Sequence, residues 1–177
     1  MTRFMLTTAM AAMLASGAWA ESHGAAMDQP GQTASADLIN TDDESIGTAT
    51  LTDGPAGVLI HVRVEGLTPG KHGLHLHAVG TCESSEGFTT ATGHVGKVEG
   101  GHGLLNPEGP EPGDLPNIFV GEDGIGEMEA YSTLVDVASL LDEDGSTFII
   151  HAQGDDHMSQ PIGGAGDRVA CGIVKGQ

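Results

Sequence analysis

Two histidines separated by one residue stand in the middle of the chain, in the segment His75-Leu76-His77. Residues two apart on a β-strand point to the same side, so both imidazoles can reach one metal ion. Leu74 and Leu76 alternate with the histidines, which predicts a strand whose other face is buried. Such a pair also occurs on solvated strand faces. Alone, it leaves a metal site and a solvated face as equal alternatives.

A second group of metal-ligand types follows in a turn-rich segment. Its members have side chains that zinc accepts: His94, His102, Glu111 and Asp114. Residues 82–116 contain eight glycines and four prolines, so a bound zinc would stabilise a segment with little apolar content. His151 ends the apolar run Phe148-Ile149-Ile150. That position alone is more typical of a structural histidine at a strand end than of a ligand.

The elements that must position these residues are short strands joined by glycine turns. Ile60, Val62 and Val64 alternate with polar residues, as in a half-buried strand. Further strands are predicted near residues 38–40, 48–51, 117–120, 126–130, 148–152 and 168–174, with a short helical turn or loop at 139–141. Two long connections, 82–116 and 153–167, carry histidines and aspartates, which favours a functional role. The pattern predicts an all-β sandwich or barrel.

The first twenty residues resemble an export signal. Arg3 provides a positive start, an apolar stretch follows, and Ala18-Trp19-Ala20 forms a small-x-small cleavage site. We therefore predict cleavage near Ala20, a periplasmic or secreted protein, a flexible arm over residues 21–33 and one domain over 34–177. The apolar stretch is too short for a transmembrane helix.

Charge and cysteine content narrow the function classes. The chain has a net charge of −19. Residues 1–20 contain one basic residue, Arg3, and no acidic residue, so their removal makes the net charge −20. Nucleic acids and anionic membranes both attract basic proteins, so we expect neither as a partner.

Cys82 and Cys171 are the two cysteines. An even number in an exported chain favours one disulfide over two separate buried thiols.

Several motifs in a fixed order carry a resemblance to a known family. They are KHGLHLH at 71–77, LLNPEGP at 104–110, GDLPN at 113–117 and GDRVACG at 166–172. From about residue 34 to 174 the chain is similar to bacterial copper/zinc superoxide dismutases. The resemblance implies a Greek-key antiparallel β-sandwich or flattened barrel of about eight strands with two long functional loops. It also implies copper and zinc as cofactors and superoxide as the substrate.

The resemblance further implies a role for each matched residue. The residues matching copper ligands are His75, His77, His94 and His151, with the ring of His94 shared with zinc. Those matching zinc ligands are His102 and Asp114. Asp155 matches a carboxylate that links a copper-side histidine to a zinc-side histidine, and Arg168 matches the arginine that docks superoxide. Cys82 and Cys171 match the disulfide pair.

The chain departs from the family pattern at two places. Glu111 stands where the family has a third zinc histidine. Because zinc accepts carboxylates, we predict a zinc site made of His94, His102, Glu111 and Asp114; the alternative leaves Glu111 in solvent. Val95-Gly96-Lys97 replaces a segment with an aromatic residue, an asparagine and a proline. These departures keep a second function open, a periplasmic copper- and zinc-binding protein with little turnover.

Three expectations concern the rest of the chain. A mature terminus Glu21-Ser22-His23 would offer a free amine and a third-position imidazole to Cu(II), although such a triplet also occurs by chance. His61, His72 and His157 are predicted to be structural or solvated. The sequence leaves a monomer and a homodimer equally open.

Overall fold

The computed structural model describes residues 31–177, so the predicted export signal and the Glu21-Ser22-His23 triplet lie outside the described residues. The strands are β1 (Thr33–Asn40), β2 (Ser45–Gly54), β3 (Gly57–Val64), β4 (Gly70–His72), β5 (Leu74–His77), β6 (Ile118–Val120), β7 (Gly126–Ser132), β8 (Thr147–His151), β9 (Arg168–Ile173) and β10 (Lys175–Gly176). This part of the chain also has one four-residue α-helix, α1 (Val137–Leu140), and two 3-10 helical turns, Ser84–Glu86 and Thr89–Ala91. Residues 31–177 form no helix with the length and apolarity needed to cross a membrane.

The strands form one antiparallel sheet in the order β4-β6-β7-β3-β2-β1-β9-β8-β5, with β10 paired to β1. Gly73 alone separates β4 from β5, so the two ends of this order are one bent strand and the sheet closes into a barrel. Counting β4 and β5 together, and leaving out the two-residue β10, gives eight barrel strands. The chain passes from β3 to β4, yet β3 pairs with β7, a crossover of the Greek-key kind. The predicted all-β fold is confirmed.

The core determines which way the histidines of β5 point. Leu74 and Leu76 are fully buried in the main hydrophobic cluster, together with the apolar face of β3. Because side chains alternate along a strand, His75 and His77 point away from this core. They are nevertheless fully buried, because loops cover the outer side of β5.

The first long loop, residues 78–117, covers β5 through main-chain hydrogen bonds. The Leu76 N–H donates to the Gly113 carbonyl at 2.8 Å, and the Val95 N–H donates to the Leu76 carbonyl at 2.9 Å. The disulfide between Cys82 and Cys171 ties this loop to β9, which confirms the predicted pairing.

The second long loop, residues 152–167, meets the barrel where β4 becomes β5. There the Gly73 N–H donates to the Gln153 carbonyl at 2.8 Å. A Cβ at Gly73 would lie 2.9 Å from the Cβ of Ala165. The bend in the closing strand therefore requires a residue without a side chain.

Two of the differences from the expected boundaries have a clear local cause. β1 begins at Thr33 rather than near residue 38, since Ala34 and Ala36 face the core, and alanine is a weak signal for a strand. The helical turn expected at 139–141 lies at Val137–Leu140. Asp136 starts it by accepting the Ser139 N–H at 2.7 Å, a capping contact that stabilises so short a helix.

Candidate metal centre

Four imidazoles meet on the outer side of the barrel. His75 and His77 belong to β5, and His151 ends the neighbouring strand β8. Potential ligand atoms of these three residues lie within 4.8 Å of one another. His94, from the first long loop, packs against them with its ring centroid 4.3 Å from that of His75 and 5.0 Å from that of His77.

Each of the four rings has one buried nitrogen without a hydrogen-bond partner. These atoms are Nδ1 of His75 and Nε2 of His77, His94 and His151. Buried polar atoms are rarely left without a partner, and four in one cluster suit an ion with a preference for imidazole. Copper has that preference, so the donor set fits copper.

The second nitrogen of the three strand histidines is held by the protein. His77 donates its Nδ1–H to the Thr92 carbonyl at 2.8 Å, and His151 donates its Nδ1–H to the Gly166 carbonyl at 2.9 Å. The Nε2 of His75 lies 2.7 Å from a carboxylate oxygen of Asp155. Such contacts fix the ring orientation and leave the opposite nitrogen for a metal.

Burial keeps the strand histidines neutral. Loss of solvation lowers the pKa of His75 and of His151 to about 4. Loss of solvation, with the nearby positive charge of Arg168, lowers the pKa of His77 to about 2. At neutral pH these rings therefore carry a free lone pair, as metal ligation requires.

The other nitrogen of His94 faces carboxylates. Its Nδ1 lies 2.8 Å from Oε2 of Glu111 and 3.3 Å from Oδ1 of Asp114. The Nδ1 of His102 lies 2.7 Å from the same Asp114 oxygen. His75, His94, His102 and Asp114 form a compact set of potential ligands, and Glu111 adjoins it through His94.

Glu111 is buried in this cluster, with 3% of its surface exposed, and does not lie in solvent. Its Oε1 accepts the Val98 N–H at 2.8 Å, and its own N–H donates to Asp114 at 2.9 Å. These two contacts aim Oε2 at His94. Within residues 31–177, the buried carboxylates of Glu111, Asp114 and Asp155 form ion pairs with histidines and not with lysine or arginine. Buried negative charge of this kind needs a cation, and the mixed set of nitrogen and oxygen atoms fits zinc.

Asp155 lies between the two halves of the centre. Its Oδ2 is 2.7 Å from Nε2 of His75 and 3.2 Å from Nε2 of His102. Burial alone would raise the pKa of Asp155, but its contacts with His102 and His75 outweigh burial and hold it well below its usual range. Burial likewise opposes the charged form of His102, yet its hydrogen bonds to Asp114 and Asp155 raise the pKa of His102 to about 9.

Sequence reasoning missed the residues that position Asp155. The side-chain amide of Asn117 donates to the Asp155 carbonyl at 2.9 Å and accepts the Asp155 N–H at 2.8 Å. Gly163 must lack a side chain, because its Cβ would overlap a carboxylate oxygen of Asp155. Asn117 ends the GDLPN motif, and its position directly before a strand was the available signal.

The three histidines expected to be structural or solvated lie outside the ligand set. His72 is buried, and its two ring nitrogens lie 2.7 Å from the His151 carbonyl and 2.8 Å from the Thr68 carbonyl. His61 forms an exposed contact with Glu127 at 2.7 Å. His157 donates its backbone N–H to Asp155 at 2.6 Å.

A cavity of about 390 Å³ opens over the cluster. His77 and His94 contribute to its lining, and Arg168 and Lys97 are the basic residues on its wall. The guanidinium of Arg168 donates to the Phe88 and Thr92 carbonyls, each at 2.6 Å. These two hydrogen bonds fix a positive charge beside the imidazoles.

Comparisons with known proteins agree with this geometry. Residues 45–174 match the family model described as copper/zinc superoxide dismutase. The Cu-Zn superoxide dismutase of Caulobacter vibrioides is 47% identical over 141 residues, covering 76% of this chain and 80% of that protein. The Escherichia coli K12 protein of the same name is 34% identical over 145 residues, covering 75% and 80%.

Solved structures show the same likeness. A double mutant of a superoxide dismutase-like protein from Bacillus subtilis aligns with a TM-score of 0.72 and 36% identity, covering 78% of this chain and 95% of that chain. Cu/Zn superoxide dismutase from Brucella abortus aligns with a TM-score of 0.67 and 27% identity, covering 81% and 99%. With the barrel, the two-part histidine and carboxylate cluster and these likenesses in agreement, the chain belongs to the copper/zinc superoxide dismutase family.

Proposed function

We propose that this protein dismutates superoxide, so that two superoxide anions and two protons give dioxygen and hydrogen peroxide. The observation that carries the proposal is the set of four unpartnered imidazole nitrogens beside a buried carboxylate cluster. Copper, when bound, supplies the one-electron chemistry that oxidises one superoxide and reduces the next. Zinc has no redox chemistry of its own.

The chain's residues divide into two ligand sets that share one ring. The copper set consists of His75 Nδ1, His77 Nε2, His94 Nε2 and His151 Nε2. The zinc set consists of His94 Nδ1, His102 Nδ1, Glu111 Oε2 and Asp114 Oδ1. The support for the first set is its unpartnered nitrogens, and the support for the second is the short contacts among its members.

His94 is placed to move a proton. Its Nε2 belongs to the copper side, while Glu111 and Asp114 hold its Nδ1 side in place. With copper bound, Nε2 of His94 would be the atom that takes up one proton and gives it to the superoxide being reduced, and solvent would supply the second proton. The fixed Nδ1 side keeps the ring in position throughout.

Arg168 docks the anionic substrate. A chain with a net charge near −20 repels superoxide at long range, but salt screens charges separated by more than about 8 Å. The local field in the cavity therefore determines whether superoxide approaches the imidazoles. Arg168 supplies a fixed positive charge there. The metal-binding alternative gives no role to an arginine held in this way.

We also propose that the protein is exported. The pattern of the first twenty residues supports export, and the disulfide also supports it, because disulfides are rare outside oxidising compartments. The protein therefore acts in the periplasm or outside the cell.

The deciding experiment measures superoxide consumption by the mature chain loaded with copper, with and without zinc. A dismutase should approach the diffusion limit of about 10⁸–10⁹ M⁻¹s⁻¹ when both metals are present. Full copper loading with negligible consumption would contradict the proposal and support the metal-binding alternative.

A further inference from the structure

Gln160, on the second long loop, binds the backbone of His102 at two points. Its Nε2 donates to the His102 carbonyl at 2.8 Å, and its Oε1 accepts the His102 N–H at 3.3 Å. The same Nε2 also donates to the Met158 carbonyl at 3.1 Å, within its own loop. Gln160 is exposed and His102 is buried. A surface side chain of one long loop thus fixes the main chain of a buried residue of the other.

The backbone of His102 determines where its ring lies. The ring is engaged on both sides, with Nδ1 2.7 Å from Asp114 and Nε2 3.2 Å from Asp155. The Asn106 side chain also donates to the His102 carbonyl, at 2.9 Å, but it lies in the same loop as His102. Gln160 instead joins His102 to the loop that carries Asp155, so it restrains the two loops relative to each other.

Gln160 also lies at a route to the carboxylate side of the centre. A cavity of about 290 Å³ has both Gln160 and Glu111 on its wall. Within residues 31–177, the hydrogen bonds of the Gln160 side chain go to His102 and Met158, and not to His75, His77 or His151. Its direct contact with the centre is therefore confined to His102 of the zinc set.

We propose that Gln160 is a positioning residue that holds the backbone of His102 in place and slows the release of zinc. The inference rests on the proposed function, in which His102 Nδ1 is a zinc ligand. Zinc leaves when its ligands separate, and His102 separates from the others more easily when the second loop no longer holds its backbone. The copper set stays intact because its histidines do not contact Gln160 and because Asn117 still holds Asp155, which contacts His75.

The test measures the release of each metal from the full mature protein carrying copper and zinc. One chromogenic chelator reports zinc and a second reports copper. Gln160→Ala should release zinc about tenfold faster, the lower end of the effect of removing a partner that orients a ligand, with copper release unchanged. Gln160→Glu keeps the length and the acceptor oxygen but lacks the donor, so it should also release zinc faster.

Ser159→Ala is the matched control. Ser159 donates to Asp156 at 2.6 Å in the same loop and has no hydrogen bond to His102, so zinc release from this variant should equal wild type. If both Gln160 variants release zinc at the wild-type rate, the proposed positioning role of Gln160 is overturned. Equal acceleration of zinc and copper, or acceleration in Ser159→Ala, would also overturn it by indicating general loosening of the loop. A wild-type protein that retains no zinc would instead refute the zinc centre itself.

Discussion

Arg168 and His77 donate to the same carbonyl oxygen, that of Thr92, at 2.6 Å and 2.8 Å. The group proposed to dock the anion and an imidazole of the proposed copper set are thus fixed to one backbone oxygen. Thr92 belongs to the loop that the disulfide ties to β9. The Thr92 peptide unit of the first long loop therefore couples the position of the Arg168 charge to that of the His77 ring.

Reversing the charge of Arg168 should slow catalysis and spare the metal. We expect Arg168→Glu to lower the rate of superoxide consumption by about ten- to a thousandfold, the range over which local fields alter encounter rates. Copper content, measured by elemental analysis, should not change, because Arg168 contacts backbone carbonyls and no unpartnered ring nitrogen. Arg63→Glu makes the same charge change at an exposed site and should leave the rate unchanged. An unaltered rate in Arg168→Glu would refute the docking role.

Thr92 adopts a backbone conformation that favours glycine. Its φ of 62° and ψ of −139° are strained for a β-branched residue. Thr92→Gly should raise the free energy of unfolding by about 1 kcal/mol, since relieved strain of about 1–3 kcal/mol exceeds the entropic cost of a glycine. Denaturant unfolding measures the change. Thr89→Gly, in the neighbouring turn, should destabilise the protein, and a destabilised Thr92→Gly would contradict the argument.

Glu111 should determine zinc affinity. Glu111→Ala should weaken zinc binding by more than about a hundredfold, because losing even a group that only orients a ligand costs ten- to a hundredfold. Glu111→His should retain tight binding, since imidazole is an equally suitable ligand. Competition with a zinc-binding dye measures both. Glu108→Ala, an exposed residue of the same loop, is the control, and unchanged affinity in Glu111→Ala would remove Glu111 from the zinc set.

The metal-free protein should be most stable near pH 6.5. The folded pKa values of His75 and His151 are about 4, below the usual value of about 6.5. Between these pH values the unfolded chain binds more protons, so stability falls as the pH falls. The pKa of His102 is about 9 when folded, so its contribution is complete below pH 6.5 and is lost as the pH rises through 9. Thermal unfolding across pH 4–10 should give a maximum; a monotonic profile would contradict these shifts.

The sequence predicted the residues that lie in the centre better than the residues that hold them there. The alternation around His75 and His77 indicated a strand with one buried face, and the two cysteines indicated their pairing. Thr92 accepts the side chains of His77 and Arg168 on its own carbonyl, and Asn117 and Gln160 bond the backbone of residues distant in sequence. Such contacts leave no periodic pattern and demand no particular neighbour in the sequence. They become visible when both long loops are folded against β5.

The bent strand around Gly73 is also the seam at which the barrel closes. β5 supplies His75 and His77, and its partner β8 supplies His151. Pulling β5 from β8 would therefore separate the rings of the copper set in the same motion. Local opening of the barrel and loss of a copper ion held by these rings would be one event. The copper-loaded protein should therefore exchange the amide hydrogens of this seam far more slowly than the metal-free protein.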